Sequence, residues 1–326
     1  MNALLCHAFG PISDLRLEHA PDPEPGPGQV RVRVRACSLN FPDALIVQGL
    51  YQVKPALPFS PGAEFAGVVD RLGEGVTGLR PGDAVVAFAG HGGLAEFCVV
   101  DAARLLPLPG GMDFAQGAAF LLTYGTALHA LRGVAGLQAG QTVLVLGAAG
   151  GVGLAAVQVA KAMGARVIAA ASSPERLALA ASHGADLGID YASQDLRRAV
   201  LEHTGGRGAD VVVDPVGGDL SESALRATAW RGTFLVVGFA DGRIPRLPLN
   251  LVLLQERRVL GVYWGEAVQR DPAQHLRDVE QLVRWFDEGR LRPPITERVG
   301  LAGARDAIER MAARRIMGKV VVDIGA

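Results

Sequence analysis

Gly150 and Gly153 are the residues whose type and spacing point most directly to chemistry. They belong to the run Val143-Leu-Val-Leu-Gly147-Ala-Ala-Gly150-Gly151-Val152-Gly153, in which an apolar strand passes straight into a glycine turn and then a helix. This is a dinucleotide-binding fingerprint with Ala148 at its first glycine position. Gly150 lets the backbone approach a pyrophosphate, and Gly153 lets the helix pack closely on the strand. The first-turn N–H groups, those of Gly151 and Val152 among them, then meet the phosphates at the positive end of the helix dipole.

The end of the next strand decides which dinucleotide. A site selective for NAD places an Asp or Glu there, roughly 20 residues on, to bind the ribose 2′-hydroxyl. This chain has Ala171-Ser172-Ser173-Pro174-Glu175-Arg176, with serines at the strand end and Glu175 set back on the following helix. Ser172, Ser173 and Arg176 suit an added 2′-phosphate, so the reading is NADPH. The two serines also have a purely local reading as caps of a helix that opens at Pro174.

The surrounding elements change character along the chain. Val30, Val32 and Val34 alternate with Arg31, Arg33 and Arg35, the period of a strand with one wet face. Short strands follow at Ala66–Leu72, Asp83–Ala89 and Leu94–Val100, separated by glycine turns, in the manner of a barrel or sandwich. Residues 113–132 read as mostly helix. From Gln141 strands and helices alternate, which specifies a parallel sheet covered on both faces. A helix over Ala273–Glu288, another near 303–313 and a strand at Lys319–Ile324 complete the chain.

Composition removes several classes of function. The 326 residues carry 32 basic and 33 acidic side chains, so no net field attracts nucleic acid or an anionic membrane. Cys6, Cys37 and Cys98 are widely spaced and odd in number, which argues against a disulfide framework or a cysteine-rich zinc site. The apolar stretch Val143–Ala171 is broken by glycines and by Lys161 and Arg166, so it reads as a buried strand–helix–strand unit. The N-terminus has no basic segment before an apolar one, and the expected location is the cytoplasm.

Several motifs together resemble the zinc-free quinone oxidoreductases of the medium-chain dehydrogenase/reductase superfamily. They include the glycine motif, Gly164-Ala-Arg-Val-Ile, Gly184-Ala-Asp and Asp214-Pro-Val-Gly-Gly218. The N-terminal half contributes Asn40-Phe-Pro-Asp43, Gly49-Leu-Tyr51, Pro61-Gly-Ala-Glu64 and Gly82-Asp-Ala-Val, and the C-terminal end Gly318-Lys-Val-Val. The resemblance spans essentially the whole chain. It implies an α/β protein with a GroES-like β-barrel domain over 1–122, a Rossmann doubly wound parallel-sheet domain over 123–266, and a return to the first domain over 267–326. Zinc-dependent relatives carry a Cys and a His where this chain has Asn40 and Ala63, so no metal is expected. The resemblance places Asn40, Tyr51 and Thr123 around the nicotinamide and the substrate. It places Ser173, Arg176 and Tyr191 by the ribose phosphate, Phe239 beside the nicotinamide carboxamide, and Lys319 near the cleft. It also implies a homodimer formed by pairing of two sheet edges at Arg258–Trp264. Family members often have Arg where this chain has Gln48.

The activity expected from all this is hydride transfer from NADPH, in the cleft between domains, to a quinone or another α,β-unsaturated carbonyl. Without a Lewis acid the acceptor must delocalise the incoming charge itself. Tyr51 or Asn40 would donate a hydrogen bond to the developing oxyanion. The bland alternatives are a loop aromatic at Tyr51, and turn capping by Asn40 and Asp43. Competing functions are an enone or enoyl reductase and an NADPH-binding protein without turnover.

Overall fold

The computed structural model describes residues 1–325, and the chain divides into two compact units. The first comprises Met1–Leu122 and the segment from Pro293 onward; the second is Thr123–Arg292. The chain thus rejoins the first unit at Pro293, not at residue 267 as expected. The helix Pro272–Asp287 explains the difference. It buries Leu282 and Trp285, and Arg132 and Gln274 both hydrogen-bond to its Asp278, all within the second unit.

The first unit is built on a seven-stranded sheet whose central strand is Gln29–Ser38. That strand pairs antiparallel with Glu64–Leu72, with Phe97–Asp101 and with the last strand, Lys319–Asp323. Val30, Val32 and Val34 point into the core, as the alternation requires, and Arg33 and Arg35 are exposed. Arg31 departs from the pattern. It is 5% exposed, with its guanidinium bonded to Asp70, Glu24 and the Pro23 carbonyl. Its charge is paired under a loop, a tertiary contact that period-two reading cannot see. All three cysteines are buried and free.

The second unit holds a six-stranded sheet of parallel strands. Its spatial order is Leu187–Asp190, Arg166–Ala171, Thr142–Leu146, Ala209–Asp214, Thr228–Val236, Arg258–Gly261. In order of appearance this is 3-2-1-4-5-6, the doubly wound arrangement whose order reverses between the first and fourth strands. The strand Thr142–Leu146 is buried at every position. The region read as mostly helix resolves into Phe114–Ala118, Leu121–Leu128 and a π-helical turn over His129–Val134. The expected edge strand ends at Gly261, because Trp264 already opens the helix Trp264–Arg270.

Candidate active site

In the second unit the candidate residues gather at the carboxyl ends of the parallel strands. Gly147 turns the chain with φ of +57°, and a β-carbon at Gly153 would lie 2.2 Å from the Gly147 carbonyl oxygen. Glycine is therefore required at 153 for the helix Gly151–Ala162 to meet the strand it follows. A β-carbon at Gly150 would have only the Gly147 oxygen nearby, at 3.4 Å, and otherwise open space. That opening and the first-turn N–H groups of Gly151, Val152 and Gly153, which no intrahelical carbonyl can serve, fit a pyrophosphate.

Beside this turn, Ala171 pairs with Asp190, and the Tyr191 N–H donates to the Ala171 carbonyl at 3.0 Å. Tyr191 therefore stands next to the Ser172–Arg176 segment. Ser173 caps the helix Pro174–Ser182: its hydroxyl oxygen accepts from the Arg176 N–H at 3.4 Å. The same hydroxyl bonds to the Glu175 carboxylate and holds that group below the usual carboxylate range. The capping reading of Ser173 is thus realised, and Glu175 is drawn toward its own helix terminus. Further along the strand ends, Asp214 is buried and accepts from the N–H groups of Val216 and Gly217 at 2.8 and 2.9 Å and from the Ser221 hydroxyl at 2.5 Å. It fixes the turn at Gly217, where a β-carbon would meet the Phe239 ring at 2.9 Å. Sequence reading cited Asp214 only within a motif; a carboxylate at a strand end two and three residues before such N–H groups was the available signal.

In the first unit a buried polar cluster surrounds Asn40. Its side-chain NH2 donates to the Ser38 carbonyl at 3.2 Å and to Glu64 Oε1 at 3.0 Å, and its Oδ1 accepts from Lys319 Nζ at 2.6 Å. Both amide protons are committed, so Asn40 has none to donate to an oxyanion, contrary to one of the roles expected of it. Lys319 Nζ also donates to the Leu39 carbonyl at 3.0 Å and to Glu64 Oε1 at 3.1 Å. Its three protons are spent inside the first unit, a placement the expectation of a cleft lysine did not include. Glu64 further accepts from the Ser38 hydroxyl at 3.0 Å and the Leu122 N–H at 2.9 Å.

Asp43 makes a second buried knot. It accepts from the backbone N–H groups of Asn40, Gly62 and Ala63 at 2.7, 3.1 and 2.9 Å. Burial pushes its carboxyl up to about 6, against the pull of those N–H groups and of Lys319. Tyr51 follows the helix Phe41–Val47 and is half-buried, packed against the first unit's core. Thr123 is buried in the helix Leu121–Leu128, at the first position of the second unit.

Two family models match this chain. One, the alcohol dehydrogenase GroES-like domain, covers residues 26–110; the other, a zinc-binding dehydrogenase, covers residues 151–287. The second name implies zinc, and the residues here do not fit it. Asn40 offers an amide whose oxygen is already held by the Lys319 ammonium, Ala63 a methyl group, and Lys319 an ammonium that only donates. Among the described residues, no three His, Cys, Asp or Glu side chains stand where they could hold a metal ion. A quinone oxidoreductase-like protein 2 homolog of Nematostella vectensis is 41% identical over 88% of this chain and 80% of its own length. A quinone oxidoreductase of Pseudomonas aeruginosa is 39% identical over 88% of both chains. The crystal structure of Escherichia coli quinone oxidoreductase complexed with NADPH superposes with a TM-score of 0.93 at 27% identity, covering 99% of this chain and 100% of that one. With a GroES-like first unit, a Rossmann second unit and relatives of this closeness, the chain belongs to the medium-chain dehydrogenase/reductase superfamily, among its quinone oxidoreductase-like members.

Proposed function

We propose that this protein is a zinc-independent, NADPH-dependent reductase of quinones. The observation that carries the reading is the first unit's polar cluster, in which the Lys319 ammonium, and not a metal ion, takes up Asn40 Oδ1 and Glu64 Oε1, and Ala63 offers no ligand atom. Bound NADPH would supply a hydride to the acceptor. In the second unit, Gly150, Gly151, Val152 and Gly153 would hold its pyrophosphate, with Ser172, Ser173, Arg176 and Tyr191 around the 2′-phosphate and Phe239 by the carboxamide. The glycine turn accommodates that ligand, and its strand-end neighbours are adjacent to one another. In the first unit, Tyr51 would donate a hydrogen bond to the acceptor oxygen as charge develops there, since both Asn40 amide protons are taken. Thr123 would contact the nicotinamide. Quinones suit such a site because they spread the incoming charge over the ring and need no Lewis acid.

A panel of quinones, enones and enoyl thioesters, with NADPH oxidation followed in metal-free buffer, tests this. Quinones should give the highest kcat/KM, unchanged by chelators. Tyr51→Phe should lower it by about 10²-fold, the usual effect of losing one oxyanion donor. An enoyl thioester as best substrate would move the assignment to C=C reduction. Stoichiometric zinc with chelator-sensitive activity would refute metal independence.

A further inference from the structure

Only three of the 32 basic side chains are lysines: Lys54, Lys161 and Lys319. Lys54 is exposed and Lys161 pairs with Asp186 near the surface, whereas Lys319 is 2% exposed. A chain that otherwise relies on arginine thus keeps a lysine at its most enclosed cationic position. The geometry gives the reason. Three ammonium protons meet three acceptors, the Leu39 carbonyl, Asn40 Oδ1 and Glu64 Oε1. A planar guanidinium with five donors would leave some of them unpaired. Gly318 delivers the lysine there: its φ is +63°, and a β-carbon on it would lie 2.5 Å from the Pro294 carbonyl oxygen.

Stability alone does not call for this arrangement, because well-packed apolar residues commonly replace a buried ion pair without loss. What the pair does supply is orientation. Lys319 only donates and Glu64 only accepts, so the Asn40 carboxamide can take one orientation and not its flipped form. Both of its protons face inward, so a bound group can meet only its acceptor oxygen, the atom that also serves the Asp43 N–H in the capping box of the helix Phe41–Val47.

We propose that Lys319 is a positioning residue that holds Asn40 as a fixed hydrogen-bond acceptor, with Glu64 as its counter-charge. The group Asn40 receives is then a donor, such as a ribose hydroxyl or a carboxamide NH2, and not a substrate oxyanion. The proposal rests on the reductase reading above only for its kinetic consequence.

The test uses the full-length protein labelled with 15N-asparagine. The sequence has three asparagines, and Asn2 and Asn250 are exposed, so Asn40 gives the one sheltered side-chain amide pair. Its two protons should exchange slowly in the wild type, and the pair should shift and exchange freely in Lys319→Met. The double variant Lys319→Met with Glu64→Gln removes the unpaired charge and guards against misfolding of the single one. It should regain a near-wild-type Tm, yet bind NADPH about tenfold more weakly and keep a 10- to 100-fold loss in kcat. A purely structural lysine predicts instead that kcat recovers together with Tm, and that outcome overturns the proposal. So does a wild-type Asn40 amide pair that exchanges as fast as those of Asn2 and Asn250. A wild type that binds NADPH but passes its hydride to none of the quinones, enones or enoyl thioesters refutes the reductase reading, while the exchange data still decide the cage.

Discussion

Arg176 and Asp43 are the single side chains at which cofactor choice and pH response are to be tested. At the end of the second strand, Ser172 and Ser173 stand where a carboxylate would bind a ribose hydroxyl, and Glu175 is held by Ser173. A hydrogen bond to a charged group is worth about 1.5–3 kcal/mol. Arg176→Ala should therefore raise the NADPH KM by about 10- to 100-fold and leave NADH nearly unchanged; equal weakening of both would remove Arg176 from the 2′-phosphate. Asp43 titrates in an unusual window. Its carboxyl is raised from 3.8 to about 6, chiefly by burial. The folded chain thus binds this proton more tightly than the unfolded chain does. The stability it contributes is full below about pH 4 and is lost as the pH rises through about 6. Asp43→Asn cannot titrate, and its NH2 opposes an N–H donor in the knot. The variant should be less stable throughout, and its deficit in urea midpoint should shrink between pH 4.5 and 7. Parallel pH curves for the two proteins would show that Asp43 does not titrate in this window.

Gly125 illustrates what packed elements demand. It lies in the helix Leu121–Leu128, and a β-carbon there would sit 2.6–2.8 Å from three atoms of the Trp264 indole. The indole is itself buried and edge-on to His275 at 5.7 Å, so it cannot yield easily. Gly125→Ala gains helix propensity but forces overpacking, typically costing 1–3 kcal/mol. Its Tm should fall by several degrees, and a rise would mean that the ring relaxes at no cost. Much of this element scale was legible beforehand. The parallel strands, the glycine turn and the helix Pro174–Ser182 followed from apolar runs and caps, which are local signals. Other features depended on distant partners. Arg31 is buried by Glu24 and Asp70. The Lys319 cage joins residues 255 and 279 positions apart, and no periodicity reports such a meeting. The helix Pro272–Asp287 was found in the sequence, but its amphipathic pattern did not say which unit it would cover.

At the scale of the whole molecule, the strand Arg258–Gly261 ends the six-stranded sheet with one edge unpaired. Around it, Leu249, Leu253 and Leu254 are each at least 66% exposed, and Val259 and Trp230 are also open. An apolar sheet edge of this kind invites pairing with a second copy. We propose a homodimer, which light scattering at micromolar concentration should show. Val259→Lys should shift it toward monomer, and a wild type monomeric at that concentration would exclude it. The division of the chain has a different consequence, one that concerns synthesis. The first unit's sheet takes its final strand, Lys319–Asp323, in between Ile295–Gly300 and Gln29–Ser38. Domains emerge from the ribosome N-terminus first, at about 5–20 residues per second. The second unit, Thr123–Arg292, is fully exposed to folding while the first still waits for its closing strand. Over that interval of some seconds the nascent chain holds Glu64 without its lysine and Gln29–Ser38 with a bare edge. The part of the protein that begins the message is therefore the last to be finished, and chains arrested upstream of Lys319 should be marked for chaperones or proteases by an open first unit beside an intact second one.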